Sequence, residues 1–233
     1  MDPTPEQRAY ARLAGICFLA KYVLEFLGDG VTIIARGGET FAEKARYAAE
    51  NHVLWRVSLL EVGLSWIVIA FLAFALYVVL EPVNKRLAQL ALCLRLGASF
   101  VGAASLMFRV AGAQLYKAST EGLFTTEQLR TLVSVMTRGG SAGVEIAWMF
   151  QGAGAVLFFL LFFRSHYLPR TLAVLGIFGY AVFIPASAAM FVYPQYIGVL
   201  KLVGLPGLLA EVVTAVWLLV KGLRPRAAVE ARA

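Results

Sequence analysis

Nine ionisable side chains stand in stretches otherwise suited to hydrocarbon. The bases are Lys21, Arg56, Arg95, Arg109 and Lys201; the acids are Glu25, Glu61, Glu145 and Glu211. The run SLLEVGLSWIVIAFLAFALYVVL, residues 58–80, shows the contrast: apart from Ser58, Glu61 and Ser65 it is almost wholly apolar. An ionised group at the centre of a bilayer costs about 2.5–3.5 kcal/mol on insertion scales. Bases and acids nearly balance, so they are expected to pair across neighbouring helices rather than face lipid.

Depth selects the partners. At a rise of about 1.5 Å per residue, Glu61 and Arg109 lie level with each other, roughly 10 Å below the external surface, and Glu25 and Glu145 lie roughly 6–8 Å below it. Gln114 and Tyr116 sit slightly above Arg109, and Lys21 about a turn below Glu25. The expected site is therefore a polar cluster in the external half of the bundle, Glu25, Glu61, Arg109 and Glu145, in which three carboxylates share one strong cation. Like charges so close push a carboxyl towards its neutral form. Glu61 and Glu145 are thus candidate proton donors as well as ligand-binding groups. Arg95 and Glu211 come out level with one another nearer the cytoplasmic side and are expected to form a structural ion pair. Arg95, Gly102, Arg109 and Tyr116 recur every seven residues and share a helix face. Arg56 and Lys201 lie near span ends, where long side chains reach the interface.

The elements that hold these groups follow from composition. Of 233 residues, 60% are hydrophobic, and the mean hydropathy is +0.75. Soluble domains rarely reach that apolar fraction. Runs of about 20 apolar residues span a bilayer, and six occur, roughly 10–28, 53–80, 87–116, 143–163, 172–192 and 197–220. Little is left for a soluble domain. The expected fold is all-α: a polytopic membrane bundle of six transmembrane helices with two short external interfacial helices, forming a single integral membrane domain over residues 1–233.

Charge sets the orientation. With both termini cytoplasmic, the short inner segments carry Arg8, Arg12, Lys85, Arg86, Arg164, Arg170, Lys221, Arg224, Arg226 and Arg232, while the outer loops mix signs. That is the positive-inside pattern. It accounts for the net charge of +7 without nucleic acid, for which no basic patch interleaved with aromatics is present. The segment 2–7 is not a basic n-region, so no cleaved signal peptide is expected.

The loops carry helix signals. Thr40 and Glu43 fit a capping box that opens a short helix over about 41–50. In LFTTEQLRTLVSVMTRGG, Thr125 or Thr126 is placed to cap; Leu129, Leu132, Val133 and Met136 form an apolar stripe, and Gly139–Gly140 reads as the terminator. Pro82 and Pro169 punctuate the two inner turns. Pro185 is expected to kink the fifth span. Gly204, Pro206 and Gly207 are expected to weaken or break the first half of the sixth, a feature tolerated at membrane depth where it lines protein or a cavity.

Other chemistry is excluded or thin. Cys17 and Cys93 lie inside spans, and no Cys/His spacing indicates zinc or a disulfide. His52 is a lone histidine at the external mouth and His166 sits in an inner turn. No metal, cofactor, catalytic triad or phosphate-loop pattern emerges. Trp55, Trp66, Trp148 and Trp217 read as core and interface anchors.

Three stretches have a recognisable pattern: ARLAG at 11–15, EPVNKRLAQLALCLRL at 81–96 and SHYLPRTLAVLGIFGY at 165–180. Through them the chain resembles a bacterial family of small integral membrane proteins, the domain of unknown function four-three-eight-six. The resemblance extends over nearly the whole chain and implies a multi-pass helical protein of the cytoplasmic membrane. It implies no activity and no site residues.

Three classes of function stay open on these residues. One is binding or carrying a small amphipathic or lipid-like molecule in the external pocket, with Arg109 holding its head. Another is an intramembrane enzyme of the acid-catalysed isomerase or cyclase type, working on an isoprenoid or lipid with Glu61 or Glu145 as general acid. The third is an accessory subunit, or a homo-oligomer, whose small-residue faces at Gly152, Gly176 and Gly179 pack on a membrane-protein partner.

Overall fold

The computed structural model describes residues 3–34, 40–41, 43, 50–118 and 124–224. Most of the expected loop helix at 41–50 and the side chains of His52, Trp55 and Tyr116 lie outside the described residues. Among the described residues all regular structure is helical. The helices are α1 (Pro5–Ile34), α2 (His52–Leu80), α3 (Lys85–Ala118), α4 (Thr126–Ser165), α5 (Arg170–Val192), the single turn α6 (Ile197–Leu200) and α7 (Leu205–Val220).

Five stretches are long and apolar enough to cross a membrane: Arg56–Leu80, Lys85–Gly112, Thr126–Ser165, Arg170–Val192 and Pro194–Val220. Helix α1 is long enough, but Arg12, Lys21 and Glu25 interrupt its apolar run.

Three helix starts use the same device. Thr4, Thr40 and Thr125 each face Gln7, Glu43 and Gln128 three residues on. In each pair the residue at the third position donates its backbone N–H to the threonine Oγ1, and its side-chain oxygen accepts from the threonine N–H. Two orphan donors are satisfied reciprocally each time. Asn84 caps α3 by accepting from the Leu87 N–H at 3.0 Å.

The chain forms two compact units. The larger comprises Met1–Ala20, Ile67–Phe100 and Glu145–Ala233. Its core holds Phe18, Leu72, Leu76, Phe158, Phe162 and Leu218, with alanines such as Ala11, Ala91 and Ala210 fully covered between them. Small residues let helix backbones approach, which is how packing is gained where lipid removes the hydrophobic drive. Its outward faces carry Ile67, Phe71 and Phe178, each more than half exposed; in water these would form an adhesive patch, in a bilayer they meet acyl chains. At one end Gln7 is buried and donates from Nε2 to the Val79 carbonyl at 2.8 Å, tying the start of α1 to the end of α2.

In this unit the last apolar stretch is broken. A 3₁₀ turn at Pro194–Tyr196, the turn α6 and a second 3₁₀ turn at Lys201–Gly204 precede α7. Pro206 stands in the first turn of α7, where its missing N–H costs nothing. Gly179 of α5 packs on the Gly207 backbone, so closely that a Cβ there would stand 2.5 Å from the Gly207 nitrogen.

The smaller unit comprises Lys21–Trp66 and Val101–Val144. Here the sequence expectation of a separate helix ended by Gly139–Gly140 is not met: α4 runs unbroken through both glycines. Their reason is packing. A Cβ on Gly139 would meet the Phe108 ring at 2.9 Å, and one on Gly143 would collide with Ser105 Oγ. Leu129 and Val133, half of the expected stripe, are buried. Gly102 likewise makes way for Trp66, whose indole occupies the space of a Cβ.

Candidate functional site

In the larger unit α3 brings Arg95 and α7 brings Glu211 into the interior, each 1% exposed. Nη1 of Arg95 stands 3.6 Å from Oε1 of Glu211. That is an ion pair, but it is longer than the roughly 2.7–2.9 Å of a charge-assisted hydrogen bond. Arg95 reaches this position because residue 154 of α4 is glycine. A Cβ there would stand 2.7 Å from Arg95 Cγ and 3.0 Å from the Ala91 carbonyl.

The bonding of Arg95 is incomplete. Nε, Nη1 and Nη2 of Arg95 are all buried without a hydrogen-bond partner. Two neutral groups on α7 and α4 are also unmatched. Thr214, one turn after Glu211, has a buried Oγ1 without a partner, and Gln151, one turn before Gly154, has a buried Oε1 in the same condition. A buried polar group left unmatched costs about 1–3 kcal/mol.

A cavity opens at the pair. Its wall is Arg95, Glu211, Phe18, Leu76, Ala155 and three phenylalanines of α4, Phe158, Phe159 and Phe162. It admits about one water molecule, whose centre can range over roughly 10 Å³. Phe159 is held in place by stacking on Tyr180 of α5, with centroids 6.2 Å apart, and by Gly176, where a Cβ would run into its ring. The arrangement offers surplus N–H donors to one small guest inside an aromatic wall, and the opposite charges of arginine and glutamate sum to zero.

The residues of the expected external cluster lie as follows. Glu25, Glu61 and Arg109 belong to the smaller unit, each partly exposed. Glu61 Oε2 is buried without a hydrogen-bond partner. Glu145 belongs to the larger unit and is 4% exposed. The cation acting on it there is Lys201, whose Nζ also stands 5.7 Å from the centre of the Trp148 ring. Lys21, at the start of the smaller unit, is buried with Nζ 4.3 Å from the Tyr22 ring.

Gly154 and the α4 phenylalanines belong to the site without a signal in the sequence, because a glycine or a phenylalanine in a span is compatible with many packings. Among the described residues no group of His, Cys, Asp and Glu is arranged to hold a metal ion.

Apolar spans around a buried charge pair define the class: a multi-pass helical membrane protein. Within that class, the chain belongs to the family described as Domain of unknown function (DUF4386), which matches residues 13–222. No curated protein and no solved structure matches it.

Proposed function

We propose that the protein binds or carries a small amphipathic, lipid-like molecule inside the bundle, with the polar end at Arg95. The observation that carries this reading is Arg95: fully enclosed, beside a cavity, with three nitrogens that lack hydrogen-bond partners. A pair serving only to fix helix register has no use for unmatched donors, each of which lowers its stability. In this reading all six apolar stretches, including α1, cross the cytoplasmic membrane of a bacterium as one domain, with both termini inside. The segment 41–50 and the start of α4 lie on the external side.

The test is native mass spectrometry of the full chain released from mild detergent. Wild-type protein is expected to retain an amphiphile that Arg95→Leu/Glu211→Leu protein lacks. The same adduct on both proteins would overturn the assignment.

A second reading keeps the ligand at the cluster Glu25, Glu61, Arg109 and Glu145, and Glu61 favours it through its unmatched buried oxygen. There Arg109 holds the head, and Glu61 or Glu145 tunes it or gives a proton as general acid. Loss of the adduct in Glu61→Gln protein, with retention in the Arg95→Leu/Glu211→Leu protein, would select this site. Turnover of an isoprenoid by purified protein, lost in Glu61→Gln protein, would make it an enzyme. Co-purification of a second membrane protein on the Gly152, Gly176 and Gly179 faces would instead support an accessory role.

A further inference from the structure

We infer that Arg170 and Arg224, where α5 begins and α7 finishes, hold the phosphate of an anionic phospholipid on the outside of the larger unit, whichever pocket takes a ligand inside the bundle.

Short ties gather this end of the unit. The Arg224 N–H donates to the Tyr167 carbonyl at 3.1 Å and fastens the chain after α7 to the turn between α4 and α5. The Tyr167 hydroxyl in turn accepts from Nε2 of Gln7 at 3.5 Å, which brings in the start of α1.

The charge here is uncompensated. Arg164, Arg170 and Lys221 are exposed and Arg224 is half-buried. The segments 157–170 and 212–224, which supply these four cations, contain no acid. The described acids at this end, Glu6 and Glu81, stand at the start of α1 and just after α2, and Glu81 is engaged by Lys85 at 2.8 Å. Basic groups at the edge of a membrane span are drawn to anionic headgroups.

Two of the cations are already placed. Cζ of Arg224 lies 4.7 Å from the centre of the Trp217 ring. Cζ of Arg170 lies 6.0 Å from that of the Phe163 ring, and its Nε donates to Nδ1 of His166 at 3.4 Å. A ring engages the face of a guanidinium and leaves N–H edges for an oxyanion. Phosphate accepts two parallel N–H bonds from such an edge, and a side chain already held loses less freedom on binding.

Apolar stripes lead up to both arginines. Arg170, Val174 and Phe178 follow one another at intervals of four on one face of α5, and all three are exposed. On α7 the exposed Val213, Val216 and Val220 form a second stripe that ends beside Lys221. Acyl chains lying along these stripes carry their headgroup to the cations. A free phosphate would gain nothing from them, so the partner is the lipid.

The test uses full-chain protein stripped of lipid in dodecyl maltoside. It is titrated with dioleoyl phosphatidylglycerol or dioleoyl phosphatidylcholine, and retained lipid is read by native mass spectrometry. Two placed cations correspond to about a thirtyfold preference for the anionic lipid. Arg170→Gln/Arg224→Gln protein is expected to bind phosphatidylglycerol about thirtyfold more weakly, with phosphatidylcholine unchanged. Lys85→Gln/Arg86→Gln removes the same charge from the start of α3 and is expected to leave the preference in place. Should the first double variant not fold, a fall of about fivefold in Arg170→Gln protein supports the site and unchanged affinity overturns it. An equal fall in both double variants overturns it too, since any loss of charge would then suffice. Equal affinity of the wild type for the two lipids overturns the preference for an anionic headgroup. Displacement of phosphatidylglycerol by excess inorganic phosphate at matched ionic strength would mean that the free anion is the ligand, and overturns the lipid as partner.

Discussion

The two units differ in the polar groups that they enclose. The larger one encloses a whole ion pair and surrounds it with Phe18, Phe158, Phe159 and Phe162, leaving the guanidinium without hydrogen bonds. The smaller one closes its helices on glycine and serine: Gly102 under Trp66, Gly139 against Phe108, Gly143 against Ser105. Its serines turn inward on their own helices, Ser65 donating to the Val62 carbonyl and Ser105 to that of Val101. Its acids Glu25 and Glu61 remain partly exposed. In the larger unit a charge pair sits at a cavity with the arginine's donors unmatched. A serine against a glycine seam bonds within its own helix, whereas an aromatic wall around a charge gives its donors no partner. This is the physical ground for seeking the ligand in the larger unit.

The contrast can be broken most severely at the pair itself. Glu211→Leu leaves Arg95 charged and enclosed, and is expected to destabilise the protein by about 3–5 kcal/mol. Arg95→Leu/Glu211→Leu removes both charges and is expected to recover most of that loss, or to exceed wild-type stability. Denaturation in detergent, followed by circular dichroism, measures both. A double variant no better than the single one would mean that the pair itself stabilises the unit.

In the smaller unit the expected sensitivity is steric. Gly143→Leu forces a side chain into Ser105 and is expected to cost about 1–3 kcal/mol. If it costs nothing, the seam is not closed by that glycine. Gln7→Leu tests the larger unit away from its charges. It removes both the capping acceptor and the bond to the Val79 carbonyl, and a loss of about 1–2 kcal/mol is expected.

Glu61→Gln should change stability by less than about 1 kcal/mol, since the carboxylate oxygen it alters has no hydrogen bond to lose. A larger loss would show that the smaller unit also depends on a buried charge. The smallest effect is expected at the turn between α2 and α3. There Lys85 bonds Glu81 at 2.8 Å and holds its carboxyl below the usual carboxylate range. A depressed carboxyl stabilises the fold above its unfolded value and loses that contribution as pH falls through the folded one. The unfolding midpoint should therefore drop slightly below about pH 4, and Glu81→Gln protein should lack that share of the drop.

How far the sequence reaches can be judged residue by residue. Apolar runs of about 20 residues fix an all-helical membrane protein, because a spanning backbone must satisfy its own polar groups. The Thr-x-x-Gln and Thr-x-x-Glu pairs locate helix starts, since capping is local chemistry. Rise per residue puts Arg95 and Glu211 at one level, and their side chains meet at 3.6 Å. Gly139–Gly140 shows the limit. Two glycines end a helix when the chain must turn and close a seam when another helix must approach, and the choice depends on Phe108 and Ser105 of α3.

Helix starts and periodicity, which belong to single helices, were thus determined by the sequence alone. Azimuth and neighbour were decided by the tertiary structure. Glu145 has Lys201 as the cation acting on it, a neighbour that the spacing of its own helix does not name. Gly154 gains meaning only beside Arg95. The reason is that a helix specifies its own axis and faces through local hydrogen bonds and side-chain spacing, while which face meets which partner is settled by packing among segments distant in the chain.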